Sequence, residues 1–285
     1  MEPIRDKPYF SIALPSSTLE EAPGLREKTL KAGFIGRALA VFRVEEIYIF
    51  KDPFDPHSKD NISLLELLLS YQETPQYLRK VLFPRDTNLR YAGLLPPLRT
   101  PHHPLKEDST PYRDGVVVRA SKRGALIDVG LKELVYIKGV KGKEGERVTV
   151  KLVKRGDTYT GSLVNRDLLN VYWGFRVLTA GGLRDLLLEA RRKRYLIIAT
   201  SKYGDLINEV LDEIKARLKG VERAMLIFGS AKRGLYQMAE RERFELHELT
   251  DYVLNFVPHQ GTKTVRTEEA LIAALSILNL LKYIG

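Results

Sequence analysis

The stretch that decides the fold is LNFVPHQGTKTVRTEEALIAALSILNLL, residues 254–281. A short apolar run ends at Pro258, a loop passes through Gly261, and a strongly apolar helix begins near Thr267. Thr267 is predicted to be its N-cap, because the hydroxyl can accept hydrogen bonds from the free N–H groups of the first turn. Nearly every later position is apolar, which predicts a helix that is buried on most of its surface.

A second strand and loop precede this stretch, in residues 224–235. The apolar run 225–228 predicts a parallel strand, and the loop 229–234 follows at its carboxyl end, where open α/β sheets bind ligands. The loop glycines have the spacing of a P-loop, but Leu235 and Tyr236 stand where its lysine and hydroxyl residue are required. The sequence therefore favours a loop that wraps a nucleoside over one that binds a nucleoside triphosphate.

Two units, FGSAKRG (228–234) and NFVPHQGTKTVRTEEALIAAL (255–275), resemble the second and third motifs of the SPOUT methyltransferases. The segment VRTEEA (265–270) is similar to the corresponding segment of one branch of this family, whose members methylate N3 of uridine in ribosomal RNA. Two earlier stretches, SIALPSSTLE (11–20) and DTNLRYAGLLPPLRTPHH (86–103), resemble an archaeal and eukaryotic subfamily with an inserted β-barrel. The resemblance covers essentially the whole chain.

The resemblance implies a trefoil-knotted α/β fold, in which helices flank a parallel sheet and a small OB-like β-barrel is inserted. The knot domain would comprise residues 1–104 and 170–285, and the barrel, an RNA-binding unit, residues 105–169. The implied activity is S-adenosylmethionine-dependent methylation of RNA, with ribosomal RNA as the favoured substrate and uridine N3 as the favoured atom. The implied assembly is a homodimer formed through the knot.

The resemblance also implies that S-adenosylmethionine lies among three loops at the ends of strands. Hydroxyls at a strand end can hold a ribose or an adenine edge, and glycine loops can contact adenine through their backbone. The same residue types are ordinary turn formers, so the prediction depends on the three loops together. The predicted cofactor-binding residues are Thr200, Ser201, Phe228, Gly229, Ser230, Gly234, Asn255, Phe256, Val257, Gly261, Thr262, Val265 and Thr267.

Methyl transfer from a sulfonium requires positioning and the exclusion of water, and it needs neither a metal nor a covalent enzyme intermediate. Uridine N3 must also lose a proton, and an arginine would stabilise the charge that develops on the carbonyl oxygens. Arg266 is the first candidate for that role. Glu268 is the candidate for orienting Arg266 or accepting the proton, although it could equally be a helix-start carboxylate. Arg26 and Arg37 could act across a dimer interface or be solvated helix-face residues.

Composition gives an independent indication of the partner. The chain has 285 residues, 46 Lys and Arg against 36 Asp and Glu, and a formal net charge of +10. This excess favours a polyanion such as RNA, although a salt-bridged surface would also contain many of these charges. The absence of cysteine excludes disulfides, thiolate metal sites and a cysteine nucleophile. No signal peptide or membrane span is recognised, so a cytoplasmic protein is expected.

Two regions are predicted to contact RNA. The proline-rich basic segment 83–104 is a linker by composition alone and an RNA-facing loop by resemblance. Residues 113–168 contain five short predicted strands, 115–120, 124–129, 134–137, 147–153 and 158–163, which suit an OB-like barrel. The adjacent His102 and His103 are a weak indication of a metal site. The basic residues of the barrel turns have an alternative explanation, because turns are generally polar whether or not they bind RNA. The candidate RNA-binding residues are Arg85, Arg90, Tyr91, Arg99, His102, His103, Lys138, Lys141, Lys143, Lys151, Lys154 and Arg155.

The remaining segments predict alternating strands and helices. Strands are expected at 9–14, 45–50, 195–199 and 252–257, and helices at 19–40, 61–70, 74–80, 183–193 and 205–219. The order β-α-β predicts parallel strands with right-handed connections. A second function remains open at this stage: a non-catalytic RNA-binding factor in ribosome assembly that keeps the knot as a dimer scaffold.

Overall fold

The computed structural model describes residues 3–105, 108, 110–139, 142–156 and 158–284. They form two compact units: the first comprises Met1–Arg5, Tyr71–Arg90 and Pro97–Gly174, and the second Asp6–Ser70, Tyr91–Pro96 and Phe175–Gly285. The unit with the barrel thus includes segments on both sides of residues 105–169, and the predicted domain boundaries stay a prediction. Lys141, one of the candidate RNA contacts, lies outside the described residues.

The α-helices and β-strands are distributed along the whole described chain. In chain order they are β1 (Tyr9–Pro15), α1 (Leu25–Val41), β2 (Glu46–Phe50), α2 (Ser58–Glu73), α3 (Gln76–Leu82), β3 (Tyr112–Ser121), β4 (Gly124–Asp128), β5 (Val135–Lys138), β6 (Arg147–Arg155), β7 (Thr158–Val164), β8 (Arg176–Ala180), α4 (Leu183–Arg192), β9 (Leu196–Leu206), α5 (Leu211–Lys219), β10 (Arg223–Ile227), α6 (Leu235–Arg241), α7 (Leu246–Leu249), β11 (Tyr252–Asn255) and α8 (Thr267–Tyr283).

The second unit is built on a six-stranded parallel sheet in the order β11-β9-β10-β1-β2-β8. Its central strands are apolar on both faces, and Ile12, Ala13 and Leu14 of β1 are fully buried. Burial on both faces is the reason these strands read as continuous apolar runs. Because the strands are parallel, β9, β10 and β11 end at the same edge, and the loops that follow them lie together.

The structure corrects three predicted segments of this unit. The helix predicted at 19–40 begins at Leu25, because Pro23 and Gly24 separate it from a short 3₁₀ turn at Ser16–Leu19. The strand predicted at 195–199 continues to Leu206, and the helix predicted from residue 205 therefore begins at Leu211. Strand β8 and helices α6 and α7 were absent from the prediction; each is short, at four to seven residues.

Helix α8 differs from the prediction at its start and on one face. Arg266 is the N-cap and Thr267 the first helical residue, so the prediction that Thr267 caps the helix is wrong. The cap is made instead by Glu269, whose Oε2 accepts a hydrogen bond from the Arg266 N–H at 2.9 Å. Leu271, Ala274, Leu275, Leu278 and Leu281 are buried, whereas Ile272, Leu280 and Tyr283 are exposed. The helix is buried on one face only.

The first unit contains a five-stranded antiparallel sheet in the order β5-β4-β3-β6-β7. Its edge strands β5 and β7 lie in contact, so the sheet curls nearly closed around an apolar core that includes Val117, Ile127, Val135 and Val150. All five predicted strands are present. Together with the parallel sheet, this confirms the predicted fold class of an α/β domain with a small inserted β-barrel.

Buried charges hold three segments of the first unit together. Arg147 donates to Glu73 at 2.5 Å and to Asp114 at 2.5 Å, and the Trp173 indole donates to Asp114 at 2.7 Å. Burial alone would raise the pKa of each carboxyl, but Arg147 and His102 outweigh it and lower both pKa values. The carboxylates are therefore ionised at neutral pH, and the C-terminal end of α2 is tied to β3 and β6.

Candidate active site

The described residues enclose a cavity of about 450 Å³ at the carboxyl ends of β9, β10 and β11. This volume lies within the range of small-molecule sites. The cavity belongs entirely to the second unit. Its lining residues are Thr200, Ser201, Lys202, Tyr203, Phe228, Gly229, Ser230, Ala231, Lys232, Arg233, Gly234, Tyr236, Gln237, Leu254, Asn255, Phe256, Val257, Gln260, Lys263, Thr264, Val265, Thr267 and Ala270.

The first wall is a bulge in β9. Val253 pairs with Ala199, but Leu254 pairs with Asp205, so residues 200–204 leave the ladder with β11. The Thr200 hydroxyl donates to the Ile227 carbonyl at 3.0 Å and so anchors the start of the bulge to β10. This hydroxyl can still accept a hydrogen bond, but its proton is already used within the protein.

The second wall is the loop that follows β10. The Phe228 N–H donates to the Ala13 carbonyl at 3.0 Å, and the Ser230 N–H donates to the Arg233 carbonyl at 2.9 Å. A Cβ on Gly229 would lie 2.8 Å from the Arg233 carbonyl oxygen, whereas one on Gly234 would meet nothing within 4 Å. Gly229 is thus required by the loop itself, and Gly234 leaves its backbone open to the cavity.

The third wall follows β11 and is braced by Asn255. The Asn255 side chain is 8% exposed; its Nδ2 donates to the Lys202 carbonyl at 3.2 Å, and its Oδ1 accepts from the Val257 N–H at 2.9 Å. Both ends of this amide are therefore bonded within the protein. Asn255 joins the β9 bulge to the third loop, which is a positioning role.

The structure brings most of the predicted cofactor residues together. All of them line the cavity except Gly261 and Thr262, which lie in the exposed part of the third loop. Sequence reasoning missed several wall residues, among them Lys202, Tyr203 and Tyr236. The first two stand beside the predicted Thr200 and Ser201, but nothing in the sequence showed that the strand bulges there.

Cations surround the cavity. Lys202, Lys232, Arg233 and Lys263 are all exposed residues of its wall. Lys232 pairs with Glu20 at 2.9 Å, and the Arg233 guanidinium lies 4.9 Å from the centroid of the Phe54 ring. Positive charge at the rim of a concave site attracts an anionic ligand or a polyanion.

The predicted catalytic residues do not line the cavity. Arg266 is exposed at the start of α8, and Glu268 pairs with Lys31 of α1 at 3.1 Å. Lys31 is nearly buried; burial lowers the pKa of its ammonium, and Glu268 opposes that shift. Glu268 therefore has an identified partner that joins α8 to α1, in agreement with the alternative that it is a structural carboxylate.

Arg26 and Arg37 lie on a different face of α1 from Lys31. At 100° per residue, Arg26 and Arg37 are separated by about 20° around the helix, whereas Lys31 lies about 140° from Arg26. Arg26 is exposed and pairs with Glu27 at 3.5 Å, and Arg37 is partly buried. Both arginines therefore lie on a face of α1 other than the one on which Lys31 contacts Glu268 at the start of α8.

The predicted RNA contacts are divided between the two units. Arg85, Arg90, Arg99 and the barrel cations Lys138, Lys143, Lys151, Lys154 and Arg155 are exposed in the first unit, whereas Tyr91 is partly buried in the second.

His102 is a correction to the predicted RNA-binding set. It is fully buried, with its Nε2 2.9 Å from the Glu73 carbonyl oxygen and 3.1 Å from the Glu73 carboxylate. His103 is partly buried, and its Nε2 lies 2.6 Å from the same carbonyl. Burial lowers the pKa of His103 to about 3, so this residue is neutral near pH 7. The histidine pair fixes the chain beside Glu73.

Metal ligands and membrane-spanning helices are not found among the described residues. No group of three or more His, Cys, Asp or Glu side chains lies close enough to hold a metal ion. No helix in the described ranges has both the length and the apolar character needed to cross a membrane.

Comparisons with known proteins give the family. The 28S rRNA (uridine-N(3))-methyltransferase of Homo sapiens is 35% identical over 96% of this chain and 79% of the relative. An uncharacterized protein of Haloarcula marismortui is 33% identical over 95% and 98%. The SpoU methyltransferase AviRb of Streptomyces viridochromogenes, solved with AdoMet, is 10% identical, with a TM-score of 0.40 over 99% of this chain and 61% of that one. Residues 9–278 match the family described as "Putative RNA methyltransferase". The chain therefore belongs to this family of RNA methyltransferases.

Proposed function

We propose that this protein transfers the methyl group of S-adenosylmethionine to N3 of a uridine in ribosomal RNA. The observation that carries the proposal is the cavity at the ends of β9, β10 and β11, in a chain whose relative in Homo sapiens is named as a uridine-N3 methyltransferase. Three loops at the carboxyl ends of adjacent parallel strands are the place where such sheets bind nucleosides.

In this proposal the cofactor occupies the cavity, and its adenosine is held largely by loop backbone. The open space around Gly234 supports a close approach to that backbone, and the buried Phe228 and Phe256 supply apolar contact. The fixed hydrogen bonds of Thr200 and Asn255 keep the loops in one geometry before the cofactor enters. S-adenosylmethionine supplies an electrophilic methyl group, and the protein orients it and excludes water.

Arg266 is the proposed stabiliser of the charge that develops on the uridine carbonyls. Its position at the N-terminus of α8 supports this role, because the Glu269 bond fixes its backbone and the helix end adds partial positive charge. Glu268 acts in this proposal as a positioning residue, since its pairing with Lys31 ties the first turn of α8 to α1.

We further propose a homodimer through α1 and α8, which pack against each other. Phe34 and Val41 of α1 are 58% and 52% exposed, and Leu280 and Tyr283 of α8 are 60% and 56% exposed. Each pair shares one face of its helix. Arg26 and Arg37 lie beside the exposed α1 pair, so in a dimer they would face the partner, which supports a role across the interface.

The experiment that tests the activity is methyl transfer into ribosomal RNA from a strain that lacks this gene. We expect radioactive methyl from S-adenosylmethionine to enter that RNA, and mass spectrometry of its nucleosides to show 3-methyluridine. The matched variant is Val265→Trp, which fills the cavity from a partly buried wall position and should abolish cofactor binding in calorimetry. Leu188→Trp, on the exposed face of α4, is the control.

Two outcomes would contradict the proposal. If the intact protein binds no S-adenosylmethionine and still binds ribosomal RNA, it is the non-catalytic assembly factor that the sequence left open. If methyl groups enter the RNA but no 3-methyluridine is found, the protein is an RNA methyltransferase as proposed, but uridine N3 is not the atom that it methylates.

A further inference from the structure

One aromatic residue on the cavity wall is largely exposed to solvent. Tyr203 lies at the tip of the β9 bulge and is 76% exposed, more than any other aromatic side chain in the described part of the chain. An exposed aromatic ring is a large apolar surface left in water. Tyr236, on the same wall, differs, because it is partly buried and its hydroxyl contacts His247 Nε2 at 2.8 Å.

The backbone below Tyr203 is held firmly. The Tyr203 N–H donates to Ser201 Oγ at 3.1 Å, and the preceding Lys202 carbonyl accepts from Asn255. The following residue, Gly204, packs so closely on β11 that a Cβ there would lie 2.4 Å from the Val253 carbonyl oxygen. The bulge is therefore a fixed support that presents an aromatic ring to solvent.

The charges around Tyr203 point to the ligand. The Lys202 ammonium lies 4.9 Å from the centroid of the Tyr203 ring and covers one of its faces. Lys263 is a further exposed cation of the same wall. An aromatic face flanked by ammonium groups fits an unstacked nucleotide, whose base stacks on the ring while its phosphate meets the cations.

We propose that Tyr203 is the platform on which the acceptor base of the RNA stacks at the mouth of the cofactor cavity, a role that rests on the proposed function. A base inside a duplex is not reachable by a methyl group held in a cavity, so the acceptor nucleotide must be single-stranded or extruded. Stacking on the free face of Tyr203 offsets part of the cost of unstacking that base. It also orients the edge of the base toward the cavity. The substrate of the proposed reaction is thereby specified further, as an unpaired nucleotide of the RNA.

A binding experiment tests the stacking without requiring catalysis. The probes are a ten-nucleotide oligouridylate and an abasic ribose-phosphate oligomer of the same length, titrated into the full chain at matched salt. We expect Tyr203→Leu to weaken oligouridylate binding by about 5- to 150-fold and to leave abasic binding unchanged, because each base–aromatic stack contributes on this scale. Tyr203→Phe and Tyr203→Trp keep a ring and should bind like the native protein.

A kinetic experiment separates this inference from the proposed function. With ribosomal RNA from the deletion strain, Tyr203→Leu should raise KM for RNA and lower kcat, while Tyr203→Trp restores both. Calorimetry should give equal affinities of the native protein and Tyr203→Leu for S-adenosylmethionine. The proposed function itself fails if the native protein transfers no methyl group.

Two results would overturn the role of Tyr203. In the first, the native protein methylates RNA, and Tyr203→Leu does so with the same KM and kcat. In the second, Tyr203→Leu loses S-adenosylmethionine binding while its preference for oligouridylate over the abasic oligomer is retained. The ring would then belong to the cofactor wall.

Discussion

At the scale of single residues, the site depends on where a side chain is allowed and where it is not. Gly229 and Gly234 frame the same loop, yet a Cβ would collide with backbone at the first and meet open space at the second. Neither has a positive φ. The requirement for glycine at position 229 is therefore steric and comes from the loop, whereas the described protein atoms impose no such requirement at position 234.

This contrast gives the first prediction. Gly229→Ala should lower the free energy of unfolding by about 1–3 kcal/mol, because backbone atoms must move, and it should also weaken cofactor binding. Gly234→Ala should leave the melting temperature unchanged and lower the affinity for S-adenosylmethionine at least about tenfold, a penalty expected when a ligand must shift away from an added methyl group. Thermal unfolding and calorimetry measure the two effects. Native affinity in Gly234→Ala would show that the cofactor does not approach this backbone.

At the scale of elements, the start of α8 fixes Arg266. The Glu269 carboxylate accepts a hydrogen bond from the Arg266 N–H. Arg266 is therefore both the N-cap residue of α8 and the residue whose side chain is proposed to act in catalysis. We predict that Glu269→Ala lowers the free energy of unfolding by about 0.5–2 kcal/mol through loss of the cap. Glu269→Gln keeps a hydrogen-bond acceptor at this position and should lower the free energy of unfolding much less. Urea unfolding of the two variants measures the difference, and equal losses would contradict the capping role.

Strand β6 carries three of the predicted RNA-binding cations of the barrel. Lys151, Lys154 and Arg155 are exposed, and single-stranded RNA releases counterions in proportion to the phosphates that are neutralised. Replacing all three with Gln should therefore reduce the slope of log affinity against log salt by about 2. Fluorescence titrations over a range of salt concentrations measure that slope. The control replaces the exposed Lys59, Arg184 and Lys219, and an equal loss of slope there would mean that only net charge matters.

At the scale of the whole molecule, buried ion pairs of Arg147 with Glu73 and Asp114 stabilise the first unit. Glu73 has a lowered pKa, so the stability it contributes is fully present above its ordinary value of 4.5 and is lost as the pH falls through the lowered value. Glu73→Gln should cost about 3–5 kcal/mol at pH 7, because Arg147 loses a buried partner. The difference from the native protein should shrink as the pH falls below 4.5.

Denaturant unfolding across this pH range measures the effect. Glu66→Gln, at an exposed position on the same helix, is the control and should change little at any pH. A Glu73→Gln penalty that stays constant down to strongly acidic pH would contradict the charge network.

The proposed dimer gives a prediction for mixed protomers. If Arg266 of one chain and Arg37 of the other serve one site, Arg266→Ala and Arg37→Ala homodimers should both be inactive. Unfolding and refolding them together in equal amounts should restore about a quarter of native activity, because half of the dimers are mixed and each mixed dimer has one intact site. Methyl transfer before and after mixing measures this. No recovery, with dimers present, would place both arginines in the same chain's site.

The sequence by itself determined the fold class, the strand-loop units at 224–235 and 254–281, and about half of the residues that line the cavity. Those features depend on local chemistry: apolar runs of strand length, glycines after them, and a motif that resembles a known family. The five barrel strands were likewise predictable, because each is bounded by glycine-rich basic turns.

Only the tertiary structure decided the features that depend on contacts distant in sequence. His102 is read as a basic loop residue in the sequence, but it is buried against Glu73, 29 positions earlier. Lys31 and Glu268 pair across more than two hundred residues, and the bulge that exposes Tyr203 exists because β11 pairs with β9 on both sides of it. Neither burial nor strand register is a property of a local segment, and those two quantities determine which polar side chains stabilise the fold and which remain available to a ligand.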